Sequence, residues 1–268
     1  MNRRQLLRYG RIGTLAALAT TVPSAWQTYQ AQTAPEPETP SPSDNSLLVQ
    51  WLGHTCFLFV GEGQSVLVNP FRTLGCTAGY RPPQVNADLV LISSRLLDEG
   101  ATENLPGNPR ILFEPGAYQF RGQQIQGIRT FHDREGGRRF GINVAWGWIQ
   151  AGIKIVHLGG AAAPITPEQQ ILMGRPDLLF VPVGGGPKAY SPEEAKEEML
   201  KLNPRVVIPT HYLTQAADRD SCNLVEIEQF LALVEDATIE KTTSDSIRLS
   251  RSRLPENQRV VKVLSYNF

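Results

Sequence analysis

The chain has four histidines, His54, His132, His157 and His211, and His132 is followed directly by a carboxylate, Asp133. A pair of acids, Asp98-Glu99, ends the short loop after the apolar run Asp88–Ile92. Imidazoles and carboxylates together hold divalent cations, and a carboxylate-rich set suits Mn, Fe or Zn. The same groups act as general bases or stabilise developing charge. His211 follows the run Arg205–Pro209, at the carboxyl end of an expected strand, where α/β folds gather their site residues. One reading makes Asp98, Glu99 and His211 the ligands of a single ion, with His132, His211 and Asp98 as the catalytic candidates. The other makes Asp98 a turn cap, Glu99 a solvated acid and both histidines hydrogen-bonded parts of the fold.

Other residues have two readings as well. Asp133 could orient the His132 ring, as carboxylates beside functional histidines do. His54 follows Gly53 in a turn, either at the edge of a cleft or satisfied by backbone there. His157 ends the run Lys154–His157 and reads as core packing. Ser93-Ser94 invites a nucleophile reading, but no G-x-S-x-G elbow surrounds it. Gly184-Gly185-Gly186-Pro187-Lys188 precedes an expected helix and could cradle a phosphate; a tight loop lining the cleft explains it equally well.

The elements that would position these residues are short. Leu47–Leu52, Thr55–Val60 and Ser65–Val68 are β-rich runs split by Gly-containing turns, the pattern of an antiparallel meander. Further strands are expected at Asp88–Ile92, Arg110–Phe113, Tyr118–Arg121, Gln124–Thr130, Ile142–Gln150 and Lys154–His157. Thr166-Pro167-Glu168-Gln169 and Ser191-Pro192-Glu193-Glu194 each join an N-cap, a proline at the first helical position and a capping-box partner. They open helices, the second over Ser191–Leu202. Apolar residues at Leu224, Ile227, Phe230, Leu231 and Val234 give a third helix over Asn223–Val234. Strands at Asp177–Val183 and Arg205–Pro209 alternate with these, and Thr238–Glu240 and Ser246–Leu249 close the chain. Such a sequence of elements is α/β, with sheets in the middle and helices outside.

At 268 residues and 41% apolar content the chain can bury a substantial core. Arg3-Arg4 and the short apolar run Ile12–Val22 form a twin-arginine export signal over residues 1–34, too short an apolar stretch to span a bilayer comfortably. Membrane contact is expected only through this signal, and the export machinery is an expected partner. Residues 35–46 are rich in Pro, Glu and Ser and read as a flexible tether, leaving 47–268 as the folded domain. Without the signal, 22 basic residues face 26 acidic ones, and no basic patch with interleaved aromatics appears, so nucleic acid is excluded as a partner. Of three cysteines, Cys56 reads as a buried strand residue, while Cys76 and Cys222 lie in loops. A disulfide between these two would suit an exported protein, though spacing alone does not establish it.

Four ordered segments resemble the metallo-β-lactamase superfamily, and most closely its ascorbate-6-phosphate-lactonase-like branch. They are Trp51-Leu52-Gly53-His54 with Val68-Asn69-Pro70-Phe71; Leu89 to Glu99; Phe131-His132-Asp133 with His157-Leu158-Gly159-Gly160; and Val181 to Gly186 with Ile208-Pro209-Thr210-His211-Tyr212. The resemblance implies a four-layer αββα sandwich. It also implies a pair of divalent ions that lower the pKa of a bridging water for hydrolysis. Its first ion would be held from positions 94, 96 and 132, which here are Ser94, Leu96 and His132. Its second would be held from positions 98, 99 and 211, here Asp98, Glu99 in place of a histidine, and His211. The carboxylate shared by both ions falls at Gly160, and Asn69 stands where an aspartate is frequent.

The expectation is therefore an exported protein of this fold that has lost most of the dinuclear site. It would bind a small ligand in a cleft that includes His54, Ser94, Asp133, Gly160 and Lys188. Two alternatives stand beside it: a hydrolase of a small lactone, ester or phosphoester running on one Zn, Mn or Fe ion, and an export-side scaffold.

Overall fold

The computed structural model describes residues 45–268. The segment expected to be an export signal, 1–34, and all but the last two positions of the expected tether, 35–46, lie outside the described residues. In chain order, β1 (Ser46–Gly53), β2 (Cys56–Gly61), β3 (Gln64–Val68), β4 (Leu89–Leu91) and β5 (Arg110–Leu112) come first. They are followed by β6 (Gly116–Phe120), β7 (Gln123–Phe131), β8 (Ile142–Gln150) and β9 (Ile153–His157). Helices then alternate with strands: α1 (Pro167–Met173), β10 (Leu178–Pro182), α2 (Pro192–Leu202), β11 (Val206–Thr210) and α3 (Ile227–Leu231). The chain ends with β12 (Thr238–Lys241), β13 (Ser246–Ser250) and β14 (Val260–Val263).

These strands form two mixed sheets. One has six strands in the order β13-β1-β2-β3-β4-β5, and the other has eight, β12-β14-β11-β10-β9-β8-β7-β6. The meander expected at the start is present, with β1, β2 and β3 antiparallel, before β4 and β5 join in parallel. On the second sheet α1 packs against β7, α2 against β10 and α3 against α2.

The sheets are joined by an aromatic core. Phe57 and Phe59 of β2 meet Phe180 of β10 at 4.7 and 5.1 Å between ring centroids, and Phe59 meets Trp148 of β8 edge-on at 5.0 Å. Edge-on pairs suit the aromatic quadrupole. His157 lies flat on Phe180 at 5.1 Å, as the core reading of its position expects. Polar staples cross the same interface: Trp146 Nε1 donates to the Ile92 carbonyl at 3.1 Å, and Gln150 Nε2 donates to the Gly61 carbonyl at 3.1 Å. Each occupies a polar group that burial would otherwise leave unpaired.

Two expectations need correcting. The helix expected over Asn223–Val234 is formed only at Ile227–Leu231, because Glu226 pairs with Leu213 in an isolated bridge and the Val225 carbonyl accepts from Leu213 N. Backbone groups engaged sideways cannot join the helical ladder. The chain also does not close with Ser246–Ser250, since Val260–Val263 adds a parallel strand between β11 and β12.

Candidate functional site

Every candidate residue sits at one end of the sandwich, on loops that leave strands. The β1–β2 turn presents His54, the end of β3 Asn69, the loop after β4 Ser93 to Glu99, and the end of β7 His132. The turns after β9, β10 and β11 bring Gly159-Gly160, Gly184 to Lys188, and His211. Strand ends are where side chains can converge without belonging to the core.

At the centre, His132 Nε2 lies 3.2 Å from Glu99 Oε2, and both side chains are 0% exposed. The other ring nitrogen, Nδ1, donates to the backbone carbonyl of Lys188 at 3.0 Å. With an oxygen facing each nitrogen, the ring is suited by the imidazolium form. Burial works against that charge, but the Glu99 carboxylate outweighs it and raises the His132 pKa above its ordinary value. Ser94 Oγ donates to the same Glu99 oxygen at 3.1 Å.

Asp98 is bound differently. Its carboxylate pairs with the Lys188 ammonium, the two side chains being 20% and 28% exposed. Burial raises the Asp98 pKa, yet the Lys188 charge prevails and holds it below the usual carboxylate range. His54 and His211 face one another with ring centroids 4.2 Å apart, both buried. Burial depresses the pKa of each, so both are neutral imidazoles at neutral pH.

Several side chains hold these in place. Asn69 Oδ1 accepts from Ser93 N at 2.8 Å. Asn143, inside β8, accepts from Gly160 N at 3.0 Å while its amide donates to the Leu158 carbonyl at 2.8 Å. Arg134 donates to the Gly186 and Ala189 carbonyls at 3.1 and 3.0 Å, fixing the Lys188 loop from both sides. Sequence reasoning missed Asn143 and Arg134. A lone amide within the otherwise apolar Val144–Ile149 neighbourhood was the available signal for the first. For the second there was none, because its partners lie more than fifty positions away.

Three readings change. His54 is no backbone-satisfied turn residue: its Nε2 is buried without a partner in the protein and its ring lies in the cleft. Asp133 does not orient His132. Its carboxylate accepts from the backbone N–H groups of Glu135, Gly137, Arg139 and Phe140 at 2.8 to 3.0 Å. Burial raises its pKa, but those four donors prevail and bring it down to about 2. The glycine run takes the tight-loop reading, because Gly185 N donates to the Tyr190 carbonyl at 2.8 Å and a Cβ on Gly184 would lie 2.0 Å from the His211 carbonyl. Close approach of two backbones is what demands glycine there.

Cys76 and Cys222 are disulfide-bonded, and Cys56 is a buried free thiol in β2. A separate groove of about 550 Å³, lined by Gln64, Gln123, Trp148 and Lys154 among others, shares no residue with the cleft.

Residues 48–211 match the family model described as a beta-lactamase superfamily domain. A metallo-β-lactamase-superfamily crystal structure from Thermotoga maritima is 32% identical, with a TM-score of 0.65 over 81% of this chain and 98% of that one. The chain belongs to the metallo-β-lactamase superfamily. Among its curated relatives are UPF0173 metal-dependent hydrolases from Thermoplasma acidophilum and Methanoculleus marisnigri. The first is 26% identical, over 63% of this chain and 84% of its own length. The second is 28% identical, over 74% of this chain and 91% of its own length. The superfamily fold, with two sheets face to face, is what the resemblance implied.

Whether the side chains fit the superfamily's pair of ions can be tested on this geometry. A Cβ at Gly160, where the shared carboxylate would start, would lie 2.2 Å from His132 Cε1 and 2.6 Å from Glu99 Oε1. The space that such a carboxylate needs is filled by two residues in contact with each other. Asp98 and Glu99 are engaged by Lys188 and by His132 with Ser94. Among the described residues no group of three or more His, Cys, Asp or Glu side chains is disposed to grip an ion. The arrangement does not fit two adjacent ions, and the expected trio Asp98, Glu99 and His211 is not gathered round a common point.

Proposed function

We propose that this protein is an exported, non-hydrolytic member of the metallo-β-lactamase superfamily that binds a small polar ligand in the cleft of His54, Asp98, Glu99, His132, Lys188 and His211. The packing of His132 and Glu99 across the face of Gly160 carries this reading, because two-metal hydrolysis has no carboxylate to bridge its ions there. Its polar character follows from the groups left unmatched. His54 Nε2, His211 Nδ1, Glu99 Oε1 and Ser93 Oγ are buried without a hydrogen-bond partner in the protein. Each such group costs about 1–3 kcal/mol when unsatisfied, so a ligand that meets several gains correspondingly. Likeness to the lactonase-like branch makes sugar phosphates and lactones the first compounds to try. Export is supported by Arg3-Arg4 and by the Cys76–Cys222 bond, which suits an oxidising compartment.

Incubating the purified chain with Mn or Zn, desalting it and measuring bound metal tests the central point. The expected result is well under one ion per chain and no change in melting temperature. Stoichiometric metal that disappears in an Asp98→Ala/His211→Ala variant would sink the proposal and favour a single-ion hydrolase. A melting-temperature screen of sugar phosphates and lactones tests the ligand, and silence throughout would favour a scaffold. Following the location of an Arg3→Lys/Arg4→Lys variant tests export, with retention on the synthesis side expected.

A further inference from the structure

We infer that Lys188 is a tethered cation standing in for a metal ion, and that its ammonium is what keeps divalent metals out of this cleft. The inference rests on the reading that the native protein carries no ion pair.

Lys188 reaches both halves of the site at once. Its ammonium binds the Asp98 carboxylate, while its backbone carbonyl accepts from His132 Nδ1 at 3.0 Å and thereby turns Nε2 toward Glu99. Its charge adds to the burial that lowers the His54 and His211 pKa values and only partly offsets the Glu99 carboxylate that raises that of His132. It is not a loose surface lysine. Arg134 clamps the carbonyls of Gly186 and Ala189 on either side of it, and Arg134 Nε donates to Glu194 Oε1 at 2.8 Å. Tyr190, two positions on, donates from its N–H to the Ala161 carbonyl at 3.1 Å and from its hydroxyl to the Ala163 carbonyl at 2.7 Å. The loop is thereby anchored to the turn after β9.

The two carboxylates are both engaged in consequence, Asp98 by the Lys188 ammonium and Glu99 by the His132 ring at 3.2 Å. A divalent cation entering this cleft meets its own sign of charge and finds its oxygen donors engaged. Taking away the ammonium alone removes that repulsion and frees Asp98. The freed carboxylate then shares the cleft with Glu99 Oε1, His54 Nε2 and His211 Nδ1, each buried without a hydrogen-bond partner in the protein and free to turn toward an entering ion. Oxygen and imidazole donors of this kind suit Mn, Fe or Zn.

Calorimetric titration of the full chain with ZnCl2 and with MnCl2 tests this, comparing the native protein with Lys188→Ala, Lys188→Arg and Lys188→Ala/Asp98→Ala. The expected result is at least a tenfold gain in affinity in Lys188→Ala, with one ion per chain and a melting temperature that rises with added metal. Lys188→Arg should behave as native, and the double variant should lose the gain. If Lys188→Ala does not fold, Lys188→Gln, which keeps the stem and removes the charge, is read in the same way. A folded, charge-removed variant with no gain over the native protein overturns the inference and leaves the proposed function standing. Stoichiometric metal on the native protein overturns both.

Discussion

Gly160 has no side chain, and its neighbours fill the volume that one would need. An added methyl would lie 2.2 Å from a ring atom of His132, whose other edge is pinned to the Lys188 carbonyl. Overpacking of this kind costs about 1–3 kcal/mol, so Gly160→Ala should destabilise by that amount in urea denaturation. Gly147→Ala is the matched control, since its methyl would find nothing nearer than 3.9 Å. Equal midpoints for the two variants would mean that the His132–Glu99 packing yields easily. At this scale the sequence is only partly readable. The identities of Ser94, Leu96, Glu99 and Gly160 already disagree with an ion-pair centre. The bond between Lys188 and Asp98 was not foreseeable, because it joins residues ninety positions apart through a fold that must exist first. Asp133 was misread for the opposite reason: the four amides that capture it are its own close neighbours in sequence, and they outcompete the ring beside it.

Among the elements, strands were the most legible, because alternation and Gly-containing turns mark them wherever one face is buried. Capping boxes located α1 and α2 to the residue, with Thr166 and Ser191 each accepting from the N–H three positions on. The third helix is shorter than its apolar periodicity suggests, because its first turn is taken up by pairing with the loop after His211. That loop, and the one after β3, are joined by the Cys76–Cys222 bond across 146 positions. Backbone bonds also connect them: Gly79 N donates to the Ala216 carbonyl at 2.7 Å and Asp218 N to the Gly75 carbonyl at 3.0 Å. A cross-link over so long a separation typically contributes about 2–4 kcal/mol. Cys76→Ser/Cys222→Ser should lose about that much, read as a lower denaturation midpoint that reductant does not change further. The native protein in reductant should fall to the same value; no difference between oxidised and reduced protein would refute the bond's contribution.

For the whole molecule, acid is the revealing stress. His157 is fully buried against Phe180, and burial brings its pKa from an ordinary 6.5 down to about 3, with a Thr55 backbone contact opposing only in part. The unfolded chain therefore takes up a proton at this residue below about pH 6.5, while the folded chain does not until about pH 3. Stability is complete above the upper value and declines between the two, by up to about 1.4 kcal/mol per pH unit for this single group. His54 and His211, depressed in the same direction, add to the slope. In denaturation series from pH 7 to pH 4, His157→Phe should be somewhat less stable than native at the top, where it forfeits the bond from Gly159 N, and should lose less toward the bottom. Parallel curves would contradict this assignment.

His54, Asn69 and His211 all hold left-handed backbone, with φ of 53°, 50° and 55°, although none is glycine. Such a conformation costs an ordinary L-residue about 1–2 kcal/mol. The least relaxed backbone in the cleft thus coincides with its unmatched imidazole nitrogens. Tension and thirst for hydrogen bonds share one address, and a guest that hydrogen-bonds both touching rings would quiet the turn on one sheet and the strand end on the other in a single step.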